Sequence, residues 1–256
     1  MSNIAERFDL KDWFKLDGKP AFFAGIECEI ESVKPDQSFP NFTATHDGSL
    51  RNDGIEFISN PLPRETLLAA FRNLHTTIEY YESEDAFSPR TSTHVHINCR
   101  SLSETQARDL ILFYALFEEF FFTLVDKDRR ANIHCVPLTE TFLPQIYKYD
   151  LRKYINNWHK YTALNILPLT KFGTIEFRHL QGTSDSVLLD EWVTTLENLW
   201  KLCQRDTITA DSLANPDQVK SWWREVFGHI PRIMALEPAL PNMIQNSLLD
   251  VKFAFV

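Results

Sequence analysis

This chain has no glycine-rich phosphate cradle: neither a Walker loop nor a GxGxxG occurs in it. Any nucleotide must therefore be held by metal and side chains. Its four cysteines (Cys28, Cys99, Cys135 and Cys203) are scattered, without CxxC or Cys/His zinc spacing, which excludes a zinc-ribbon type of site. Cys28 and Cys99 fall on the apolar faces of expected strands, so buried free thiols are expected. No signal peptide is expected at the start, because residues 3–15 carry charges and have no apolar h-region. The most apolar run, Leu110 to Val125, is too short for a bilayer and contains Glu118 and Glu119, so a cytoplasmic protein without a membrane partner is expected. Basic charge is scarce: the net charge is −9, which argues against nucleic acid and anionic membrane as partners. The short cluster Lys127 to Arg130 does not reverse it. Repeats, low-complexity stretches and linkers are absent as well. The 256 residues, with 44% hydrophobic content, 20 Phe and 6 Trp, read as one globular domain spanning 1–256.

What is present centres on Gly25 to Glu31, Gly-Ile-Glu-Cys-Glu-Ile-Glu. With period two it places Glu27, Glu29 and Glu31 on one face and Ile26, Cys28 and Ile30 on the other. Carboxylates spaced about 6–7 Å apart along a strand repel one another. They belong either in open water or in a cleft where cations hold them. Three further strands are expected: Ile55 to Ser59, Thr93 to Cys99 and Thr174 to Leu180. A Ser/Asn/Pro-containing loop and a turn-rich Thr45 to Leu50 segment separate the first two strands, after a break at Lys34-Pro35-Asp36. Residues before about Pro20 read as an amphipathic lead-in.

Helices are expected from Pro63, with a stripe of Leu67, Leu68, Phe71, Leu74, Ile78 and Tyr81, and from a Ser103/Gln106 capping box to about Val125. The second is apolar nearly all round and should be buried. Asp150 to Tyr161 reads as a helix. Val187 to Cys203, capped by Ser184 or Ser186, is another, and a shorter one runs from Asn215-Pro216 to Gly228. Phe and Trp along these helices read as core.

Each strand has an apolar face suited to helices and a second face with a few specific polar groups. These are Glu27, Glu29 and Glu31; Glu56; His94, His96 and Asn98; Glu176 and Arg178. Aligned in one sheet they form a concave acidic wall that needs cations. Hard oxygen ligands with one or two histidines suit Mg²⁺ or Mn²⁺ better than Zn²⁺. Such ions bind polyphosphate, and Arg178 beside them neutralises charge on a transferring phosphoryl group.

The blocks Gly-Ile-Glu-Cys-Glu, Asp-Gly-Ser-Leu with Gly-Ile-Glu-Phe-Ile-Ser, His-Val-His-Ile-Asn, Ala-Leu-Asn and Gly-Thr-Ile-Glu-Phe-Arg, in that order, resemble the amidoligase family. That family is placed with glutamine synthetase and glutamate–cysteine ligase in the carboxylate–amine ligase superfamily, and its members occur in bacteria and their viruses. The match runs from about Gly25 to Thr183. The motif-bearing core is thus about 20–205, and about 206–256 is a helical C-terminal extension. The resemblance implies an α+β fold with a curved, mostly antiparallel sheet of the glutamine synthetase catalytic-domain type, its concave face holding Mg²⁺ and ATP and helices packed on its convex side. It implies a ligase that activates a carboxylate as an acyl phosphate, which an amine then attacks. Its partners would be small-molecule or peptide carboxylates and amines. By motif, Glu27, Glu29, Glu56, His96 and Glu176 look like metal ligands, with His94 either a ligand or a group that orients His96. His96, Arg178 and Asn165 look nucleotide-binding, and Arg178, Glu56 and Asp47 catalytic.

Plainer readings stand beside these. Glu31 reads as a solvated strand-end carboxylate, Glu176 and Arg178 as a same-face ion pair, and Asp47-Gly48 as a turn. His75, His134, His159 and His229 read as structural. At the level of function, a metal-dependent hydrolase or an amine/guanidino kinase uses the same cleft, and a non-catalytic binding protein retains it as a surface.

Overall fold

The computed structural model describes residues 2–255 except 18–20, 35, 82–85 and 139–142. Pro35 of the expected strand break and the end of the lead-in at Pro20 thus lie outside the described residues.

Six antiparallel strands form one open sheet in the order β2-β3-β1-β4-β6-β5. They are β1 (Ala24–Ile30), β2 (Phe42–His46), β3 (Ile55–Ser59), β4 (Ser92–Asn98), β5 (Leu164–Asn165) and β6 (Thr174–Gln181). The α+β class expected from the sequence is what the chain adopts. β2 and β5 were not foreseen: β2 is a largely exposed edge strand, and β5 is two residues long. The short alternation of β2 sits next to a turn-rich stretch and buries almost nothing, and two residues of β5 show no period. The central register sets Glu29 opposite Glu56, Glu27 opposite His94 and His96 opposite Glu176. Side chains distant in sequence therefore meet across neighbouring strands.

The apolar face is covered by α2 (Arg64–Thr77), α3 (Glu104–Thr123) and α5 (Ser186–Arg205); the short α1 (Ile4–Phe8) precedes β1, and α4 (Leu151–Asn156) lies between α3 and β5. Phe177 of β6 meets Tyr114 and Phe121 of α3 and Trp192 of α5 edge-on or tilted, with centroids 5.8, 6.2 and 6.5 Å away. Ser103 and Gln106 close the capping box of α3 reciprocally. The cap of α5 is Asp185, accepting from the Val187 and Leu188 N–H groups, not Ser184 or Ser186. α2 stops at Thr77, where Ile78 turns extended, so the stripe through Tyr81 is only partly helical. α4 likewise ends at Asn156, well short of Tyr161.

Beyond α5 the chain forms α6 (Ala210–Leu213), α7 (Pro216–Phe227), α8 (Pro231–Met234), α9 (Leu240–Met243) and α10 (Gln245–Phe253). These explain why α3 is apolar all round: one side meets the sheet, and the other meets this layer. Phe113 and Phe120 of α3 stack edge-on against Trp222 and Trp223 of α7 at 4.9 and 5.3 Å. Ser247 of α10 donates to the Leu116 carbonyl.

A bulge in β6 aims the polar face. Pairing runs from Thr93 opposite Leu180 to Val95 opposite Phe177, so Arg178 and His179 together face one residue of β4. Strict alternation would put Leu180 beside Glu176 and Arg178; the extra residue sends Leu180 into the core next to His179, both 0% exposed, while Arg178 stays on the polar side.

Candidate active site

Glu27 sits at the middle of the polar face. Its Oε1 is 3.1 Å from His96 Nε2, and its Oε2 is 3.2 Å from His94 Nδ1. Burial alone would raise this carboxyl, but the hydrogen bond with His94 and the close approach of both histidines hold it well below the usual carboxylate range. Burial likewise opposes the charge on His96, and Glu27 and Glu176 overcome it, raising its pKa from 6.5. The approach of His96 Nε2 to Glu27 is close but poorly aligned, leaving that buried nitrogen without a hydrogen bond. Its Nδ1 is fixed 3.0 Å from Thr174 Oγ1.

Glu176 is held from several sides. Asn165 Nδ2 donates to Oε2 at 2.7 Å, Arg178 Nη1 donates to Oε1, and His94 Nδ1 lies 3.4 Å from Oε1. Glu29, 9% exposed, accepts from both the N–H and the hydroxyl of Ser92, at 2.7 and 2.6 Å. Since Ser92 gives its one hydroxyl proton to Glu29, His94 Nε2, 2.7 Å away, is the donor to Ser92 Oγ.

Two groups of ligand atoms result, each within 4.8 Å: Glu27, His96 and Glu176, and Glu29, Asp47 and Glu56. Carboxylate-rich sets with one imidazole fit hard divalent cations. The unbonded His96 Nε2 and the mutual repulsion of the carboxylates are the marks such ions would relieve. His94 belongs to neither group, since both its ring nitrogens are engaged within the network; it links Ser92, Glu27 and Glu176 from beneath. Asn165, expected to contact nucleotide, is held inside the same network. Buried at 6% exposure, it spends its amide on Glu176 and its carbonyl on the Leu167 N–H.

Glu56 is pushed up from 4.5 to about 7 by burial and by the charges of Glu27 and Glu29. A carboxyl raised on folding binds more protons in the native state than in the unfolded one. Its contribution to stability therefore falls as pH rises from about 4.5 to 7. His96, raised from 6.5, adds stability below that value and loses it as pH climbs through its folded value. A divalent cation must displace both protons. The melting temperature without metal should thus decline across this window, and the stabilisation by Mg²⁺ should be larger at pH 8 than at pH 6. Melting curves with and without Mg²⁺ test this; equal shifts at both pH values, or an unaltered pH trend in Glu56→Gln, would contradict it.

Glu31 corrects the reading of it as solvated: it is 0% exposed. It accepts from the Arg51 N–H at 2.9 Å and from Arg51 Nη2 at 3.3 Å. The β2–β3 loop is anchored there, and its left-handed Asn52 and Asp53 suit Asn and Asp in a tight turn. Asp47, on the same loop, accepts from the Ser49 N–H at 2.8 Å, so it is a turn residue as well as a member of the second group.

Two cavities open on this face. One, of about 290 Å³, is mostly apolar, lined by Trp13, Phe14, Phe23, Ile58 and Phe172 with Glu27, His96 and Arg100. The other, of about 790 Å³, is polar; its floor includes Glu29, Asp47 and Glu56, and it is also lined by Arg90, Arg129, His134, Lys160, Tyr161 and Arg178. Glu27 lines both. Sequence reasoning missed Ser92, Thr174 and the basic lining. Extending the alternation of β4 back by two residues from His94 would have found Ser92, but the basic residues come from loops without periodicity. His134, read as structural, lines the polar cavity, and its carbonyl accepts from Arg178 Nε at 3.0 Å.

A family model described as "Putative amidoligase enzyme" matches residues 27–200. Comparison with curated proteins gives no match. No helix among the described residues is long and apolar enough to cross a membrane.

Proposed function

Because the chain belongs to the amidoligase family, we propose that it is an ATP- and Mg²⁺-dependent ligase that joins a carboxylate to an amine through an acyl phosphate. The observation that carries this reading is the pair of adjoining ligand groups on one sheet face, with Arg178 paired to Glu176 beside them. In this reading the sheet is of the glutamine synthetase catalytic type, with the acidic face as its concave side. Glu27, His96 and Glu176 hold one divalent cation, Mg²⁺ or Mn²⁺, and Glu29, Asp47 and Glu56 a second. Bound there, such cations neutralise triphosphate charge.

The apolar cavity, rimmed by exposed Trp13 and Phe172, takes the nucleoside base. The triphosphate then crosses Glu27 towards the polar cavity. A carboxylate oxygen of the acid attacks the γ-phosphorus, and the bond from that phosphorus to ADP breaks. Arg178, aimed by the bulge and tethered to the His134 carbonyl, meets the charge that builds on the phosphoryl oxygens. The amine nitrogen next adds to the acyl carbon, loses a proton and expels phosphate. Glu56 and Asp47 line the cavity where that proton leaves. Positioning and fixed charge do most of the work, without a protein nucleophile. Four buried free cysteines suit a reducing cytoplasm.

The test is ADP and phosphate release that requires Mg²⁺, an acid and an acceptor, with hydroxylamine trapping the acyl phosphate as a hydroxamate. Glu176→Gln should lower it by roughly 10²–10³-fold, the range for losing one transition-state contact. Undiminished ADP release by that variant, or hydrolysis of an ester or amide without nucleotide, would refute the ligase.

A further inference from the structure

Arg129 is a buried cation of the polar cavity that the scheme above leaves unused. It is 5% exposed, and it lines the polar cavity. Its Nε donates to the His179 carbonyl at 2.9 Å and its Nη2 to the Arg178 carbonyl at 2.7 Å. Those are the two residues of the β6 bulge, so the guanidinium is fixed by backbone atoms. Yet no carboxylate oxygen lies within 4.0 Å of it among the described residues. Neutral carbonyls offset only part of the cost of burying a cation, and an unpaired buried charge is strongly unfavourable. Burial indeed works against its charged form.

Two more cations line the same cavity. Arg90 is exposed and donates to the Ser49 carbonyl at 3.2 Å, while Lys160 is exposed over the Tyr161 ring. Neither has a carboxylate partner within 4.0 Å among the described residues. Arg178, by contrast, is already paired to Glu176. The acidic floor, through its cations, takes the triphosphate, and the basic lining is left to a further anion beyond the single reacting carboxylate placed at Arg178.

We propose that Arg129, with Arg90 and Lys160, forms a subsite for a second acidic group on the acid substrate. The activated molecule is then a diacid, its second group a carboxylate or a phosphate-type anion. This rests on the ligase reading and narrows its substrate class.

The experiment compares propionate with succinate, butyrate with glutarate and valerate with adipate, using ATP, Mg²⁺ and hydroxylamine and reading ADP and hydroxamate. In at least one pair the diacid should exceed its monoacid in kcat/KM by on the order of 10–100-fold, the worth of a charged hydrogen bond. Arg129→Gln should collapse that ratio towards one. Since Arg129 also caps the bulge, the double variant Arg90→Ala/Lys160→Ala, altered only at exposed positions, should lower the ratio independently. 4-Phosphonobutyrate against glutarate distinguishes a phosphate-type group from a carboxylate. Equal use of monoacids and diacids overturns the proposal, as does a ratio that survives both variants. So does a raised KM for ATP in Arg129→Gln with the ratio intact, or Mg²⁺·ATP binding by a wild type that uses no diacid. Failure of the wild type to bind Mg²⁺·ATP at all refutes instead the ligase reading beneath it.

Discussion

Glu27→Gln should reduce ADP release by on the order of 10³-fold or more while the fold survives. The amide keeps the shape of the side chain but removes the charge that draws His94 and His96 together, 3.2 and 3.1 Å from its two oxygens. One oxygen becomes a donor that faces a ring nitrogen. The first ligand group loses a member, and Glu27 is also the residue where the two cavities meet. Loss of metal affinity and of triphosphate alignment should therefore multiply. A variant retaining more than a tenth of wild-type ADP release, with a cooperative melt, would show that Glu27 is not at the centre of the chemistry. Its folded-state pKa lies below 4.5, so its ionic contacts stabilise the native state above that pH and fade as pH falls through the folded value. The melting difference between wild type and variant should accordingly shrink on acidification.

Arg100→Ala should cost about 2–4 kcal/mol of stability, at the lower side of the range for breaking a buried pair because Asp17 is partly exposed. Arg100 is 5% exposed. It grips Asp17 with two bonds of 2.6 and 2.8 Å and donates to the carbonyls of Phe172 and Leu10 at 3.3 and 3.1 Å. It thus ties the end of β4, the lead-in segment and the turn before β6 into one wall of the apolar cavity. Gly173 makes this packing possible: its φ is +74°, and a Cβ there would stand 2.5 Å from Arg100 Cγ. For a chain of this size the loss should appear as a drop of roughly 10 °C in melting temperature, with weakened nucleotide binding. Arg100→Lys should recover little, because an ammonium does not reproduce the fork. A shift of under about 2 °C in Arg100→Ala would show that the wall is held by other contacts.

The polar faces of β1, β3, β4 and β6 were legible because period-two alternation is a local property, and the carboxylates and histidines interrupt an otherwise apolar pattern. The caps at Ser103 and Asn215 were legible for the same reason, each bond spanning only a few residues. Glu31 was misjudged because its partner, Arg51, is supplied by a loop with no signature of its own. Asn165 and Arg129 depend on the bulge in β6 and on β5, which pair only after the sheet exists. No spacing in the sequence announces that His179 and Leu180 both turn inward. Residues that hold others in place were therefore harder to read than those that face the cleft.

The layer formed by α7 and α10 has a consequence for biosynthesis. α3 is completed at Thr123, but the tryptophans that cover its outer side arrive from Pro216 onward. At about 5–20 residues per second, a ribosome leaves that greasy helix half-clothed for on the order of ten seconds. Each newly made copy would spend that interval as a natural client for chaperones, and a message truncated after Arg205 would never release it from them.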